Sequence, residues 1–197
     1  MNVNPSLFGD YLRKLEKTLA AGHASEGSHY PALQFLLESL SDGLVATTLP
    51  SRIECGAPDF VVTKGGHTIG YIEAKDVGKN LDEAQESPQL KRYLVSLNNV
   101  ILTDYLEFRW FVDGERRLSA RLGTLGREGK IKRDKPGVQA VAQLLDGFLA
   151  HKAEAVGTSK ELALRMARLA HMISCLLYTS DAADEGLGVD LGGRRII

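Results

Sequence analysis

Two strand-like runs flank a Lys-Gly-Gly-His segment at residues 64–67, and this arrangement constrains the fold more than any other part of the sequence. The runs, Asp59–Thr63 and Thr68–Ala74, have the residue pattern of strands, and the glycine pair between them is typical of a tight turn. The segment therefore predicts an antiparallel β-hairpin. A third strand-like run, Arg52–Cys55, lies just before it.

Helices and strands alternate along the rest of the chain. Helical spacing of apolar residues predicts helices over about Pro5–Ala21, Tyr30–Leu40, Pro88–Leu97, Val138–Ala155 and Ser159–Leu177. Further strands are predicted at Val100–Thr103, Glu107–Val112 and Arg116–Ala120, and the polar stretch Asp76–Glu86 is predicted to be a loop. This order predicts an α/β (α+β) fold with a mixed β-sheet flanked by helices.

Four regions are expected: a main domain over residues 1–122, a loop or linker rich in Gly, Lys and Arg over 123–137, a helical connector over 138–177, and a tail over 178–197. The stretch Cys175–Glu185 resembles the translated adapter sequence found at the ends of environmental gene fragments. The tail is therefore either a natural disordered C-terminus or non-native, and the chain is expected to be cut off after the connector.

Composition excludes some classes of protein. The formal net charge of −1 does not indicate a strongly basic nucleic-acid binder, although Lys and Arg can still gather on one face. Cys55 and Cys175 form neither a zinc-site spacing nor a disulfide framework, which fits a reducing compartment. No signal peptide and no apolar run of membrane-spanning length is present, so a cytoplasmic location without a membrane partner is expected.

The hairpin carries the residues with the clearest chemistry: Pro58-Asp59 before its first strand, and Glu73-Ala74-Lys75 at the end of its second. Glu73 and Lys75 are two apart on a strand, so their side chains leave the same face. A three-residue loop at 65–67 would also place Asp59 directly across from Glu73, with β-carbons about 5 Å apart. A two-residue turn would shift this register.

Two adjacent carboxylates repel each other, and a hard divalent cation relieves that repulsion. Mg²⁺ binds a few carboxylate oxygens while keeping waters and a substrate phosphate in its shell, and it activates a bound water for attack. Lys75 can hold that water or a phosphate oxygen as a point charge. The alternative is an exposed salt bridge between Glu73 and Lys75; the second Glu-x-Lys, Glu128-Gly129-Lys130, shows how common this pair is.

The segments Gly56–Phe60 and Gly70–Asp76 resemble the PD-(D/E)XK nuclease superfamily, and more narrowly the N-terminal nuclease domain of single-polypeptide restriction-modification enzymes of the Type IIG and Type ISP group. Segments similar to Gln89–Tyr93 and Asn99–Phe108 follow in that family, so the likeness runs from about Ser25 to Gly114. The resemblance implies a restriction-endonuclease-like fold and Mg²⁺-dependent DNA cleavage, in which Mn²⁺ can substitute. It also implies double-stranded DNA as substrate and linked helicase or methyltransferase and target-recognition domains as partners.

The resemblance assigns roles residue by residue. Asp59 and Glu73 bind the metal, helped by the Ala74 carbonyl and by Glu26, while Lys75 completes the catalytic set. Gln89 is expected to support catalysis. The alternatives are a helix N-terminal carboxylate favoured by the macrodipole for Glu26, and an ordinary amphipathic helix for the segment around Gln89.

DNA contacts are expected from four residues: Tyr93, Lys91, Arg92 and Lys79. The basic cluster at residues 127–133 is either part of a DNA track, where Gly allows close phosphate approach, or a solvated charged loop. A standalone nuclease of DNA repair or defence and a non-catalytic DNA-binding module of the same fold are the alternative functions.

Overall fold

The computed structural model describes residues 5–51, 53 and 55–151, together with residues 163, 166, 167, 170 and 173. The helices of residues 5–151 are α1 (Pro5–Ala20), α2 (Tyr30–Glu38), α3 (Leu81–Gln85), α4 (Pro88–Ser96) and α5 (Lys135–Ala150). The strands are β1 (Leu44–Thr48), β2 (Phe60–Lys64), β3 (His67–Ala74), β4 (Asn99–Thr103), β5 (Glu107–Val112), β6 (Glu115–Arg121), β7 (Gly123–Leu125) and β8 (Ile131–Arg133). Short 3-10 turns cover Glu26–His29 and Arg127–Gly129.

The first six strands form one mixed sheet in the order β1-β2-β3-β4-β5-β6. β3 and β4 pair in parallel, whereas the other neighbouring pairs of this sheet are antiparallel. A parallel pair needs a crossover connection, which the segment containing α3 and α4 supplies. One edge of the sheet, here called the carboxyl edge, therefore holds the ends of β3, β4 and β6 together with the starts of β2 and β5. This mixed α/β sheet flanked by helices confirms the predicted fold class.

Helices cover both faces of the sheet. α1, α2 and α5 share one hydrophobic core with the strands, and the helical spacing of apolar residues in α1 places its buried side chains on that side. α3 and α4 bury a second set of side chains outside that core. The buried side chains of α1 are Leu7, Phe8, Tyr11, Leu12 and Leu15, and those of α3 and α4 are Leu81, Ala84, Leu90 and Tyr93.

The turn between β2 and β3 differs from the predicted one. Lys64 pairs with His67, so the loop has two residues, Gly65 and Gly66, instead of three. Both glycines have positive φ angles, 57° and 79°, which suit a type I′ turn because its twist matches that of the flanking strands. The turn alone would shift the register by one residue.

A β-bulge restores that register. It adds one residue, Ile69, to β3 just before Gly70, which pairs with Val62. From this point to the carboxyl edge the strands pair as predicted. The continuation of the register places Asp59 opposite Glu73, so the predicted alignment is obtained through a different local geometry.

The strand before the hairpin lies earlier in the chain than predicted. β1 covers Leu44–Thr48 and pairs with β2, whereas Ile53, inside the predicted strand Arg52–Cys55, forms an isolated bridge with Gly56. The bridge closes a tight turn, because each of these two residues donates its N–H to the carbonyl of the other, at 2.8 and 2.9 Å. The described part of this segment therefore bends back on itself; Arg52 and Glu54 lie outside the described residues.

A short helix, α3, occupies part of the stretch predicted to be a loop. The Asn80 side chain accepts a hydrogen bond from the Asp82 N–H at 2.9 Å and caps the helix. Leu81 and Ala84, three residues apart, are buried, and this packing stabilises a helix too short to persist alone. The buried Arg109 of β5 also donates to Asp82 and Gln85, at 2.7 and 3.2 Å.

The region 123–137 is not an irregular loop, because it contains β7 and β8 as a two-stranded hairpin. Ile131 is buried, and its N–H donates to the Glu16 carboxylate of α1 at 3.0 Å. α5 begins at Lys135 and buries four apolar side chains in the main core: Val141, Leu144, Leu145 and Phe148.

Contacts divide the chain into a unit of residues 1–154 and a unit of residues 155–197. In the second unit, five residues of the predicted helix Ser159–Leu177 are described, and all five are helical; the predicted tail 178–197 lies outside the described residues. The domain boundaries and the connector role of the last helices stay predictions. In the described part of the chain, the helices are too short or too polar to cross a membrane.

Asn99 connects the strands β3 and β5 with the helix α5. Its amide group donates to the Ile69 carbonyl of β3 and to the Phe148 carbonyl of α5, at 2.8 and 3.0 Å, and it accepts from the Trp110 indole at 2.7 Å. Gly70 makes this approach possible. A β-carbon added there would lie 2.6 Å from the Phe148 ring and 2.7 Å from the Asn99 carbonyl oxygen.

We expect Gly70→Ala to lower the free energy of unfolding by about 2 kcal/mol, because a rigid backbone and a buried ring would have to move. Urea denaturation followed by circular dichroism measures this. Gly9→Ala in α1 is the matched control: the nearest atom to its added β-carbon is 3.8 Å away, so alanine should be neutral or stabilise by about 0.5–1 kcal/mol. Equal stability of the two variants would contradict close packing of α5 on β3.

Candidate active site

The predicted catalytic residues meet at the carboxyl edge of the sheet. Asp59 directly precedes β2, and Glu73 and Lys75 lie at the end of β3. The Lys75 N–H donates to the Thr103 carbonyl at 2.8 Å, so the pairing of β3 with β4 continues through this residue. Pairing with β4 therefore holds the backbone of the Glu-Ala-Lys segment.

Both carboxylate oxygens of Asp59 accept hydrogen bonds. The Tyr30 hydroxyl, at the start of α2, donates to Oδ1, and the Ala74 N–H donates to Oδ2 at 2.8 Å. The Tyr30 ring packs edge-on against Phe60 with ring centroids 5.0 Å apart. These contacts orient the Asp59 carboxylate toward the end of β3, beside Glu73.

Glu73 is a buried carboxylate, with 2% of its surface exposed. Its Oε1 accepts from Lys75 Nζ at 2.6 Å, whereas its buried Oε2 has no hydrogen-bond partner within the described residues. Burial raises the pKa of Glu73 to about 7, and the Asp59 carboxylate adds to the rise; Lys75 opposes it. A buried carboxylate oxygen without a partner favours either a proton or a cation.

Lys75 is half-buried among carboxylates. Burial alone would lower its pKa, but the hydrogen bond that Lys75 donates to Glu73 and the charges of Glu73, Glu26 and Asp59 together raise it. Lys75 is therefore protonated at neutral pH. It carries a positive charge at the position where an anion would approach the two carboxylates.

Glu26 lies in the 3-10 turn before α2 and belongs to the same electrostatic cluster. Burial raises its pKa, the charge of Lys75 lowers it, and Asp59 and Asp76 raise it further. The Tyr105 hydroxyl donates to the Glu26 carbonyl at 2.8 Å and so holds this turn against the β4–β5 loop. Tyr105 is fully buried and has a positive φ of 68°, a strained conformation for a residue with a side chain.

Two carboxylates of this cluster could hold a cation that keeps most of its water ligands. Within the described residues, no three His, Cys, Asp or Glu side chains are arranged to hold a metal. Mg²⁺ keeps several waters and takes one or two carboxylates, which matches Asp59 and the unpartnered Oε2 of Glu73. Ala74 lies between Glu73 and Lys75, so its carbonyl, a predicted ligand, is part of the same backbone segment.

The predicted residues of α4 lie beside this cluster. Gln89 Nε2 donates to the Tyr93 hydroxyl at 3.2 Å, and Tyr93 is buried against Gly56. Burial raises the pKa of Tyr93, with further contributions from Glu73 and Asp59. The hydroxyl of Tyr93 is therefore within electrostatic range of both carboxylates.

The predicted DNA-binding cations are exposed on the surface. Lys91 pairs with Glu86 at 2.7 Å on the exposed side of α4, where Arg92 is also exposed. Lys79 is exposed in the turn after Lys75. The roles of these three cations in DNA binding stay predictions.

Two residues that contact the cluster were not predicted from the sequence. Tyr30 and Tyr105 both come from elements distant in sequence from Asp59 and Glu73, and no spacing rule connects them to the hairpin. Their only signal was the type of residue, because a buried tyrosine needs a partner for its hydroxyl.

Comparison with known proteins identifies the fold but not a family. No protein-family model and no curated protein matches this chain. The structure is similar to part of the cryoEM structure of a DrdV–DNA complex, with a TM-score of 0.59 and 23% sequence identity. The match covers 76% of this chain and 14% of that chain, so the chain spans a small part of the DrdV length.

We expect Glu73→Gln to stabilise the metal-free protein, and to do so more at high pH. The folded-state pKa of Glu73 is raised from 4.5 to about 7, so the folded protein binds more protons than the unfolded one in this interval, and stability falls as pH rises through it. Each pKa unit corresponds to about 1.4 kcal/mol. The substitution should therefore raise the free energy of unfolding above pH 7 by at most roughly 3 kcal/mol.

The measurement is urea denaturation in EDTA at pH 5 and pH 8, with exposed Glu115→Gln as the matched control. Glu115 lies at the opposite end of the sheet, with 76% of its side chain exposed. A gain for Glu73→Gln that does not change between the two pH values would contradict a raised pKa of Glu73.

Proposed function

We propose that this chain is the Mg²⁺-dependent endonuclease domain of a restriction-modification enzyme of the PD-(D/E)XK type, hydrolysing phosphodiester bonds in double-stranded DNA. The observation that carries the proposal is the meeting of Asp59, Glu73 and Lys75 at one edge of the sheet, where the buried Oε2 of Glu73 has no hydrogen-bond partner among the described residues. A desolvated carboxylate beside a second one favours a divalent cation, and the neighbouring ammonium favours an anionic substrate.

Asp59 and Glu73 would hold the Mg²⁺, with the Ala74 carbonyl as a third ligand and Glu26 as a supporting acid. Bound Mg²⁺ lowers the pKa of a coordinated water and neutralises charge on the phosphate. Lys75 donates hydrogen bonds to the attacking water or to a phosphate oxygen, and its raised pKa keeps it charged. Tyr30 orients Asp59, and Gln89 with Tyr93 forms the neighbouring wall.

The similarity to DrdV supports the larger context of the proposal. That protein was solved in complex with DNA, and this chain matches 14% of it. We therefore propose that helicase or methyltransferase and target-recognition domains accompany this domain in its enzyme. A standalone nuclease of repair or defence would use the same site. A non-catalytic module is disfavoured, because the complete Asp59, Glu73 and Lys75 set is present.

We expect the purified chain to cleave DNA with Mg²⁺ or Mn²⁺ and to lose this activity in EDTA. Asp59→Asn and Lys75→Met should each reduce cleavage of a supercoiled plasmid at least 100-fold, because each removes a charge on which metal or phosphate binding depends. Lys64→Met is the matched control, since Lys64 lies at the turn end of the hairpin and donates to Ser41. Cleavage by both site variants at the rate of the parent chain would exclude this site.

We expect Tyr30→Phe to weaken the response to Mg²⁺, because Asp59 loses a hydrogen bond that orients it. The Mg²⁺ concentration at half-maximal cleavage should rise about 10-fold, corresponding to roughly 1.4 kcal/mol for one lost hydrogen bond to a charged group. The rate at saturating Mg²⁺ should change much less. Tyr71→Phe is the control, since its hydroxyl does not bond to Asp59 or Glu73; an unchanged Mg²⁺ dependence of Tyr30→Phe would rule out the positioning role.

A further inference from the structure

The β7–β8 hairpin emerges at the same edge of the sheet as the candidate site. β6 ends at Arg121 on the carboxyl edge, and β7 begins two residues later at Gly123. Its Leu125 side chain packs on Gly78, in the turn that follows Lys75; a β-carbon added at Gly78 would lie 3.4 Å from it. One packed contact therefore joins the hairpin to the loop that leaves the site.

The hairpin is held in place on the domain. Ile131 is buried and donates its N–H to Glu16 of α1 at 3.0 Å. Gly129 lies close to Leu19, since a β-carbon added to it would be 3.1 Å from that side chain. These contacts with α1, together with Leu125 against Gly78, give the hairpin a defined position beside the site, unlike a free linker.

The pairing of β7 with β8 determines which side chains point outward. Leu125 pairs with Ile131, so their side chains share one face of the hairpin. Ile131 is buried, and Leu125 is 41% exposed but lies close to Gly78, so this face is turned toward the domain. Side chains alternate along a strand, which places Lys132 on the opposite face, together with Lys130 two residues before it. Both lysines are exposed.

Positive charge is concentrated in this hairpin although the whole chain has a net charge of −1. Residues 123–133 contain four basic residues, Arg127, Lys130, Lys132 and Arg133, and one acidic residue, Glu128. Neither Lys130 nor Lys132 forms an ion pair with an acidic side chain that the structure describes. Exposed lysines on a packed hairpin, without an ion pair to a described acidic side chain, are suited to bind the phosphates of a nucleic acid that occupies the site.

We propose that the β7–β8 hairpin is a phosphate-binding element that holds double-stranded DNA against the site through Lys130 and Lys132, independently of base sequence. The proposal rests on the proposed function for its choice of DNA. Of the two alternatives that the sequence left open for residues 127–133, it favours the DNA track over the solvated charged loop, and it assigns the contacts to Lys130 and Lys132.

The test is DNA binding by the full chain, measured as fluorescence anisotropy of a labelled 30-base-pair duplex in EDTA over a range of salt concentrations. The double variant Lys130→Ala, Lys132→Ala should weaken binding about 10-fold at 100 mM salt. The slope of log Kd against log salt concentration should fall by about 1.8, which corresponds to roughly two lost phosphate contacts. The matched control is Arg116→Ala, Arg117→Ala on β6, which removes the same charge at the opposite end of the sheet and should stay within two-fold of the parent chain.

Equal weakening by the two double variants would overturn the proposal, because it would show an effect of net charge alone. Unchanged binding by the hairpin variant, or no binding by the parent chain, would also overturn it. Plasmid cleavage in Mg²⁺ separates this proposal from the proposed function. A parent chain that binds through the hairpin but never cleaves would refute the nuclease, whereas cleavage unaffected by the hairpin variant would refute the phosphate-binding element alone.

Discussion

The parallel pairing of β3 with β4 is the constraint on which the site depends. Parallel strands cannot be joined by a tight turn, so the chain must cross over between them, and the connection through α3 and α4 covers one face of the sheet. The same pairing brings the ends of both strands to one edge. There the Thr103 carbonyl accepts the Lys75 N–H, and the loop after β4 carries Tyr105 to the turn that contains Glu26.

Burial of charged side chains at this edge of the sheet opposes folding, and the same burial would favour the binding of a cation. Glu73 is almost fully buried, one of its oxygens has no partner within the described residues, and its pKa is raised because the charged form is poorly solvated. Lys75 offsets part of this cost through one hydrogen bond at 2.6 Å. The free energy of unfolding is lower with these buried charges than it would be with apolar residues at the same positions. A bound cation would offset that difference.

The carboxylates are held by residues from the N-terminal helices as well as by the sheet. Tyr30 bonds to Asp59, and Tyr11 of α1 donates to the Tyr105 carbonyl at 2.7 Å, which supports the strained Tyr105 backbone. The hairpin that follows β6 also packs against α1. The N-terminal segment is therefore part of the site architecture, and the basic hairpin is attached to that same support.

Local chemistry in the sequence was enough to predict the hairpin, the start of α4 at Pro88 and the proximity of Asp59, Glu73 and Lys75, because β-propensity, glycine pairs and residue spacing act over a few residues. It predicted the Asp59–Glu73 alignment through the wrong turn, since a bulge at Ile69 compensates for a two-residue loop. It misplaced the strand before the hairpin, since the described part of the predicted segment closes a tight turn on itself. The contacts of Tyr30 and Tyr105 with the carboxylate cluster, and the packing of the β7–β8 hairpin near Gly78 and on α1, are decided only by the tertiary structure. Contacts between segments distant in sequence depend on the packing of the whole sheet and its helices.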